Sequence, residues 1–136
     1  MNKLTKMLFL LVVLTPLSAV GQLCVRQLHS PQYDGVAWAA QVQGTVELRV
    51  TIDAQGHVID VAGSGDAHRI LIEDAKANVK EWTFCATKDG QSSVLQLHYT
   101  YHLKNRPVES PPPPKVLIDL EKATVDITSN PGIPHY

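Results

Sequence analysis

The sequence predicts an α+β layer: two antiparallel strands, a helix and a third strand, with the helix packed on one face of the sheet. Three observations carry that expectation. Val46, Leu48, Val50 and Ile52 alternate with Thr45, Glu47, Arg49 and Thr51, and a period of two sends the two sets to opposite faces of a strand. Ala67, Ile70, Leu71, Ala75, Val79 and Trp82 recur at helical spacing across 67–82. Leu95, Leu97, Tyr99, Tyr101 and Leu103 then alternate with Gln96, His98, Thr100 and His102 as a long amphipathic strand.

Residues 1–21 have the layout of a secretory signal. Lys3 and Lys6 form a basic start, and residues 7–14 form an apolar core of about eight residues, short for a bilayer span. Pro16 breaks the segment, and Ser18-Ala19-Val20-Gly21 offers small residues for cleavage before Gln22. The rival reading is a retained anchor, which Pro16, Ser18 and Gly21 oppose by interrupting the apolar run. Leu23 directly before Cys24 opposes lipidation. The mature chain carries ten Lys and Arg against thirteen Asp and Glu, a net charge of −3. That argues against a nucleic-acid binder, which needs a concentrated basic face, and against a binder of anionic membrane surfaces. Any contact with a membrane is indirect. Export places the protein in the periplasm or outside the cell, where Cys24 and Cys85 can pair. The bond would close a loop of about 60 residues and contribute roughly 4 kcal/mol. Two free thiols are the other reading.

Along the mature chain, Pro31-Gln32-Tyr33-Asp34-Gly35 is turn-like, and 36–42 favours a short helix with Val36, Ala39 and Ala40 as its stripe. Trp38 lies off that stripe and reads as cover for the edge of the core in preference to a half-exposed binding aromatic. Asp53-Ala54-Gln55-Gly56 supplies a hairpin turn, since Asp can bond the local backbone and Gly accepts positive φ. In the returning strand Val58 and Val61 are three apart, so either a bulge intervenes or both faces are partly covered. Gly63-Ser64-Gly65 breaks the chain, and Asp66 is a candidate helix cap. Glu73, Lys76, Lys80 and Glu81 read as a solvated helix face. His98 and His102 cannot share a metal ion on a strand, because four residues separate them by about 13 Å. They read as exposed sheet-face histidines, and no cofactor or metal is expected. No Ser/His/Asp set, paired catalytic carboxylates or phosphate loop stands out, so catalysis is not expected.

Four motifs in order carry a resemblance. Pro31-Gln32-Tyr33, Gln43-Gly44-Thr45-Val46, Asp53-Ala54-Gln55-Gly56-His57-Val58 and Trp82-Thr83-Phe84 together resemble the C-terminal domain of TonB-type energy transducers. The resemblance covers 31–103 and implies a two-layer α+β fold, with a three-stranded antiparallel sheet packed on a helix. It implies a protein or peptide partner, such as an outer-membrane receptor, added as a strand beside the last strand of the sheet. By position, the partner-binding residues are Pro31, Gln32 and Tyr33 with Gln96, His98, Thr100 and His102. The chain also departs from the family. The domain begins within a few residues of the signal, with no Pro-rich spacer between. The apolar segment lacks a His. Asp34 follows Tyr33 in place of Pro, and Cys85-Ala86 follows Phe84 in place of an acidic-Pro pair. These departures point away from force transduction and leave a binding role.

The organisation expected is a signal over 1–21, a lead over 22–30, the domain over 31–104 and a Pro-rich linker over 105–115. A β-hairpin over 116–128 and a disordered tail over 129–136 complete it. Pro111-Pro112-Pro113-Pro114 is a stiff polyproline II element. Val116, Ile118 and Leu120, then Val125 and Ile127, alternate as two short strands that could pair with the 94–103 edge or with a partner chain. The function that follows is a non-catalytic periplasmic interaction module, associated with outer-membrane transport and binding by strand addition. The alternative is an envelope-assembly protein that reuses the fold and has no transporter partner.

Overall fold

The computed structural model describes residues 24–134. In chain order they form β1 (Val25–Gln27), α1 (Gly35–Ala39), β2 (Gly44–Ile52), β3 (Val58–Gly65), α2 (Arg69–Lys80), β4 (Thr83–Phe84), β5 (Ser93–Leu103), β6 (Lys115–Asp119) and β7 (Thr124–Ser129). Five strands make one sheet in the order β3-β2-β5-β7-β6, while β1 and β4 pair as a separate antiparallel ribbon. The signal-like segment lies outside the described residues.

The hairpin forms as its sequence dictates. Asp53 Oδ1 accepts from the N–H groups of Gln55 and His57, at 3.0 and 2.8 Å, and fixes the turn. Gly56 has φ +92°, and a Cβ there would stand 1.9 Å from the Phe84 carbonyl oxygen, so only glycine lets β4 approach. The register of β2 and β3 shifts between Thr51 and Ile52, whose partners are Asp60 and Val58. Ile59 is the bulged residue, which accounts for the broken alternation in this strand.

Helix α2 buries Leu71, Ala75 and Val79 on the sheet, with Ala67 and Trp82 buried at its two ends. It starts later than the sequence suggests. Strand β3 runs on to Gly65, and Asp66 Oδ1 accepts from the Thr45 N–H at 2.8 Å instead of capping. His68 caps the helix, its Nδ1 accepting from the Ile70 N–H at 3.2 Å. Helix α1 also differs from expectation. Ala37 and Trp38 are its buried residues, and Val36 is 68% exposed. The Trp38 indole turns inward because the C-terminal segment gives it a surface. Its Nε1 donates to the Asn130 carbonyl at 2.7 Å, and Gly132 lies against the ring.

The sheet is five-stranded and mixed, not the three-stranded antiparallel sheet expected. The β6–β7 hairpin supplies the two extra strands. β7 runs parallel to β5, from His98 opposite Thr124 to Leu103 opposite Ser129, and β6 pairs antiparallel outside it. Lys115, at the start of β6, faces Thr128, near the end of β7 where β5 also ends. The Pro-rich connection therefore crosses only two strand spacings, about 10 Å. Asp119 Oδ1 accepts from the Lys122 N–H at 3.1 Å and tightens the β6–β7 turn. The driving force is apolar: Val125 and Ile127 are fully buried beside Tyr99 and Tyr101. Each stabilises the sheet by roughly 1.5–3 kcal/mol. The disordered tail expected from 129 is instead held to Ile133. Val108 donates to Pro131, Ile133 donates to Val108, and Asn130 Nδ2 donates to the Arg106 carbonyl.

A strand that completes the core must be costly to truncate. We expect Ile127→Ala to lower unfolding free energy by roughly 2–5 kcal/mol in urea titration, and Leu117→Ala on exposed β6 to change it by about 0.5 kcal/mol or less. Equal small effects would mean that the tail is not part of the cooperative fold.

Candidate partner-binding edge

Strand β5 divides its side chains by the pleat. Leu97, Tyr99 and Tyr101 face the helices and are buried. Gln96 is exposed on the opposite, open face, and His98, Thr100 and His102 are half-buried there. Glu47, Arg49, Ser64, Gln96 and His98 line a shallow depression of about 270 Å³ on that face. His98 Nδ1 lies 3.9 Å from Glu47 Oε1 across the strands.

The backbone edge of β5 is occupied. The His98 N–H donates to the Ala123 carbonyl and the Lys104 N–H to the Ser129 carbonyl, both at 2.9 Å. By strand alternation Thr100 and His102 direct their N–H groups to β7 as well. On that side Val94 and Gln96 have no paired strand among the described residues. The residues expected at a free edge thus keep accessible side chains, but the main-chain groups of His98, Thr100 and His102 are spent on β7.

The segment 31–33 sits on the other side of the sheet. Pro31 and Tyr33 are buried and Gln32 is exposed. The Tyr33 hydroxyl donates to the Val42 carbonyl, and its ring meets Tyr101 edge-on, with centroids 5.5 Å apart. Burial pushes the Tyr33 phenol up to about 12. Tyr33 therefore meets the inner face of β5, apart from His98 and Thr100 on the outer face. The same inner layer ties α2 to the sheet: the Tyr99 hydroxyl donates to Asn78 Oδ1 at 2.7 Å. Asn78 Nδ2 and Trp82 Nε1 both donate to the His29 carbonyl at 3.0 Å. Cys24 and Cys85 form a disulfide, and the Cys85 N–H donates to the Cys24 carbonyl at 2.9 Å. This secures the N-terminal segment to β4.

The tail adds an edge that periodicity alone did not locate. Because β7 turns the backbone groups of Ala123 and Ser129 toward β5, it turns those of Thr124, Asp126 and Thr128 toward β6. Their partners are Asp119, Leu117 and Lys115. Val116 and Ile118 therefore direct N–H and C=O groups outward, with no strand beyond them among the described residues. Leu117 projects onto the open face and is 59% exposed. Among the described residues no group of three or more His, Cys, Asp or Glu could hold a metal ion, and no helix is long and apolar enough to cross a membrane.

With this geometry in place, the comparison with known families is direct. The family described as Gram-negative bacterial TonB protein C-terminal matches residues 29–103, more than half of the chain. The chain belongs to that family, and the domain is a TonB-type protein-interaction module. No curated protein and no solved structure gives a significant match.

One half-buried carboxyl affects the fold's pH response. Burial, and then the Asp34 carboxylate, raise Asp74 on α2 to about 6. The folded protein thus holds this proton more tightly than the unfolded chain. Stability is greatest with Asp74 neutral and falls as pH rises through 6. Asp74→Asn is expected to stabilise the protein by on the order of 1 kcal/mol at pH 7.5, partial exposure reducing the full effect, with the gain vanishing by pH 4. Urea titrations at the two pH values check this; a gain of equal size at both would contradict it.

Proposed function

We propose that this protein is a non-catalytic module of the periplasm that binds a protein partner by strand addition, and that the strand adds at β6. Two things support export: the signal-like first segment and the Cys24–Cys85 bond. The observation that carries the choice of edge is the occupation of β5 by β7 from His98 to Leu103. Freeing β5 would expose Val125 and Ile127 and break the hydrogen bonds between β5 and β7, a cost of several kcal/mol before any partner is gained. The β6 edge requires no such opening. Gln96, His98, Thr100 and His102 then act through their side chains, on the face that Leu117 shares. Gln32 is the accessible member of the 31–33 segment.

The family's setting suggests work beside an outer-membrane transport system. A second reading, an envelope-assembly role without a transporter partner, is favoured by the same closed edge, since the family's docking strand is not free here. Both use the β6 surface.

The test is a photo-reactive residue placed in cells at Leu117 or at Ile59. These two sites are equally exposed, on opposite edges of the sheet. Crosslinking to a protein, a further copy included, is expected from Leu117 and not from Ile59. Capture from Ile59 alone, or from neither, would overturn the assignment of the edge.

A further inference from the structure

The sequence of β6 is complementary to itself. Read outward from Leu117, Lys115-Val116-Leu117-Ile118-Asp119 has an apolar residue on each side and then opposite charges at the two ends. Val116 and Ile118 carry the outward N–H and C=O groups, while Leu117 turns its own toward β7. Two copies placed antiparallel about a two-fold axis at Leu117 bring Val116 opposite the partner's Ile118, and Ile118 opposite the partner's Val116. These are hydrogen-bonded positions, and each pair exchanges two bonds. Leu117 meets its own copy at a non-hydrogen-bonded position, where Cα atoms stand about 4.5 Å apart and side chains are closest. Each Lys115 meets the partner's Asp119 on the same face.

We infer that the partner seated on β6 is a second copy of this chain, so that two five-stranded sheets join edge to edge in an isologous dimer. This rests on the reading of β6 as the binding edge. Several features converge on it. Leu117 is an exposed apolar residue at the centre of the strand, 59% accessible. No ion pair among the described residues uses Lys115 or Asp119. Pro114 has no N–H and bounds the edge at one end, and the turn at Leu120 bounds it at the other. Only the register centred on Leu117 pairs all five residues and both charges. A pairing of five residues buries less than a standard interface, so the dimer is weak and depends on concentration.

Cysteine trapping suits a weak, register-specific contact, and both native cysteines are already paired. In the purified full chain under mild oxidation, Leu117→Cys is expected to form an interchain disulfide roughly tenfold faster than Lys115→Cys alone, because only residues directly opposite come within disulfide reach. Two copies of residue 115 would stand about 13 Å apart. A mixture of Lys115→Cys and Asp119→Cys proteins should form the mixed disulfide. In the Leu117→Cys background, Lys115→Asp or Asp119→Lys alone places like charges opposite at both ends and should slow trapping, and the double reversal should restore it. Equal trapping by Leu117→Cys and Lys115→Cys, or no rescue by the double reversal, overturns the dimer. If the photo-reactive Leu117 captures only other proteins and never a copy, the dimer falls while β6 stands as the binding edge. If it captures nothing, both fall.

Discussion

The parallel pairing of β5 with β7 is the contact on which the rest of this structure depends. It takes up the main-chain groups of His98, Thr100 and His102 on the outer side of β5 and buries Val125 and Ile127 against the tyrosine layer. It brings Asn130 to the Trp38 indole, and so determines which face of α1 turns inward. It also moves the free edge of the sheet out by two strands. A domain that otherwise follows the TonB C-terminal pattern thereby presents a different strand to its surroundings.

The layer beneath that sheet is tied at several independent points. Tyr99, Asn78, Trp82 and the His29 carbonyl form one hydrogen-bonded set linking strand, helix and N-terminal segment. The Cys24–Cys85 bond fastens that segment to β4, and Gly56 lets β4 close on the hairpin turn. Asp74, half-buried near Asp34, is the group that works against the packing at neutral pH.

Much of this fold was legible in the sequence because its signals are local. Alternation in β2 and β5, the stripe on α2 and the Asp53–Gly56 turn each depend on neighbours a few residues apart. Family motifs added the order of the elements. The neighbour of β5 was not legible, because the alternation of Val125 and Ile127 shows that a strand exists but not which strand lies beside it or in which direction. The error on α1 has the same origin: Trp38 is buried by residues some ninety positions away. Asp66 was a sound cap by composition, but the continuing β3 strand claimed it for Thr45. Gln96, His98, Thr100 and His102 lie on the open face, as local alternation predicts, while their main-chain availability depended on the distant strand.

The closure of β5 by β7 is tested most directly by amide hydrogen exchange resolved to single residues. The N–H groups of His98, Thr100 and His102 point at β7, and that of Gln96 points the same way, with no strand among the described residues to meet it. We expect the first three to exchange only through global unfolding, and Gln96 to exchange faster by at least about a hundredfold. Exchange of all four at the rate of Gln96 would show that β7 leaves the edge open, and would return the binding surface to β5.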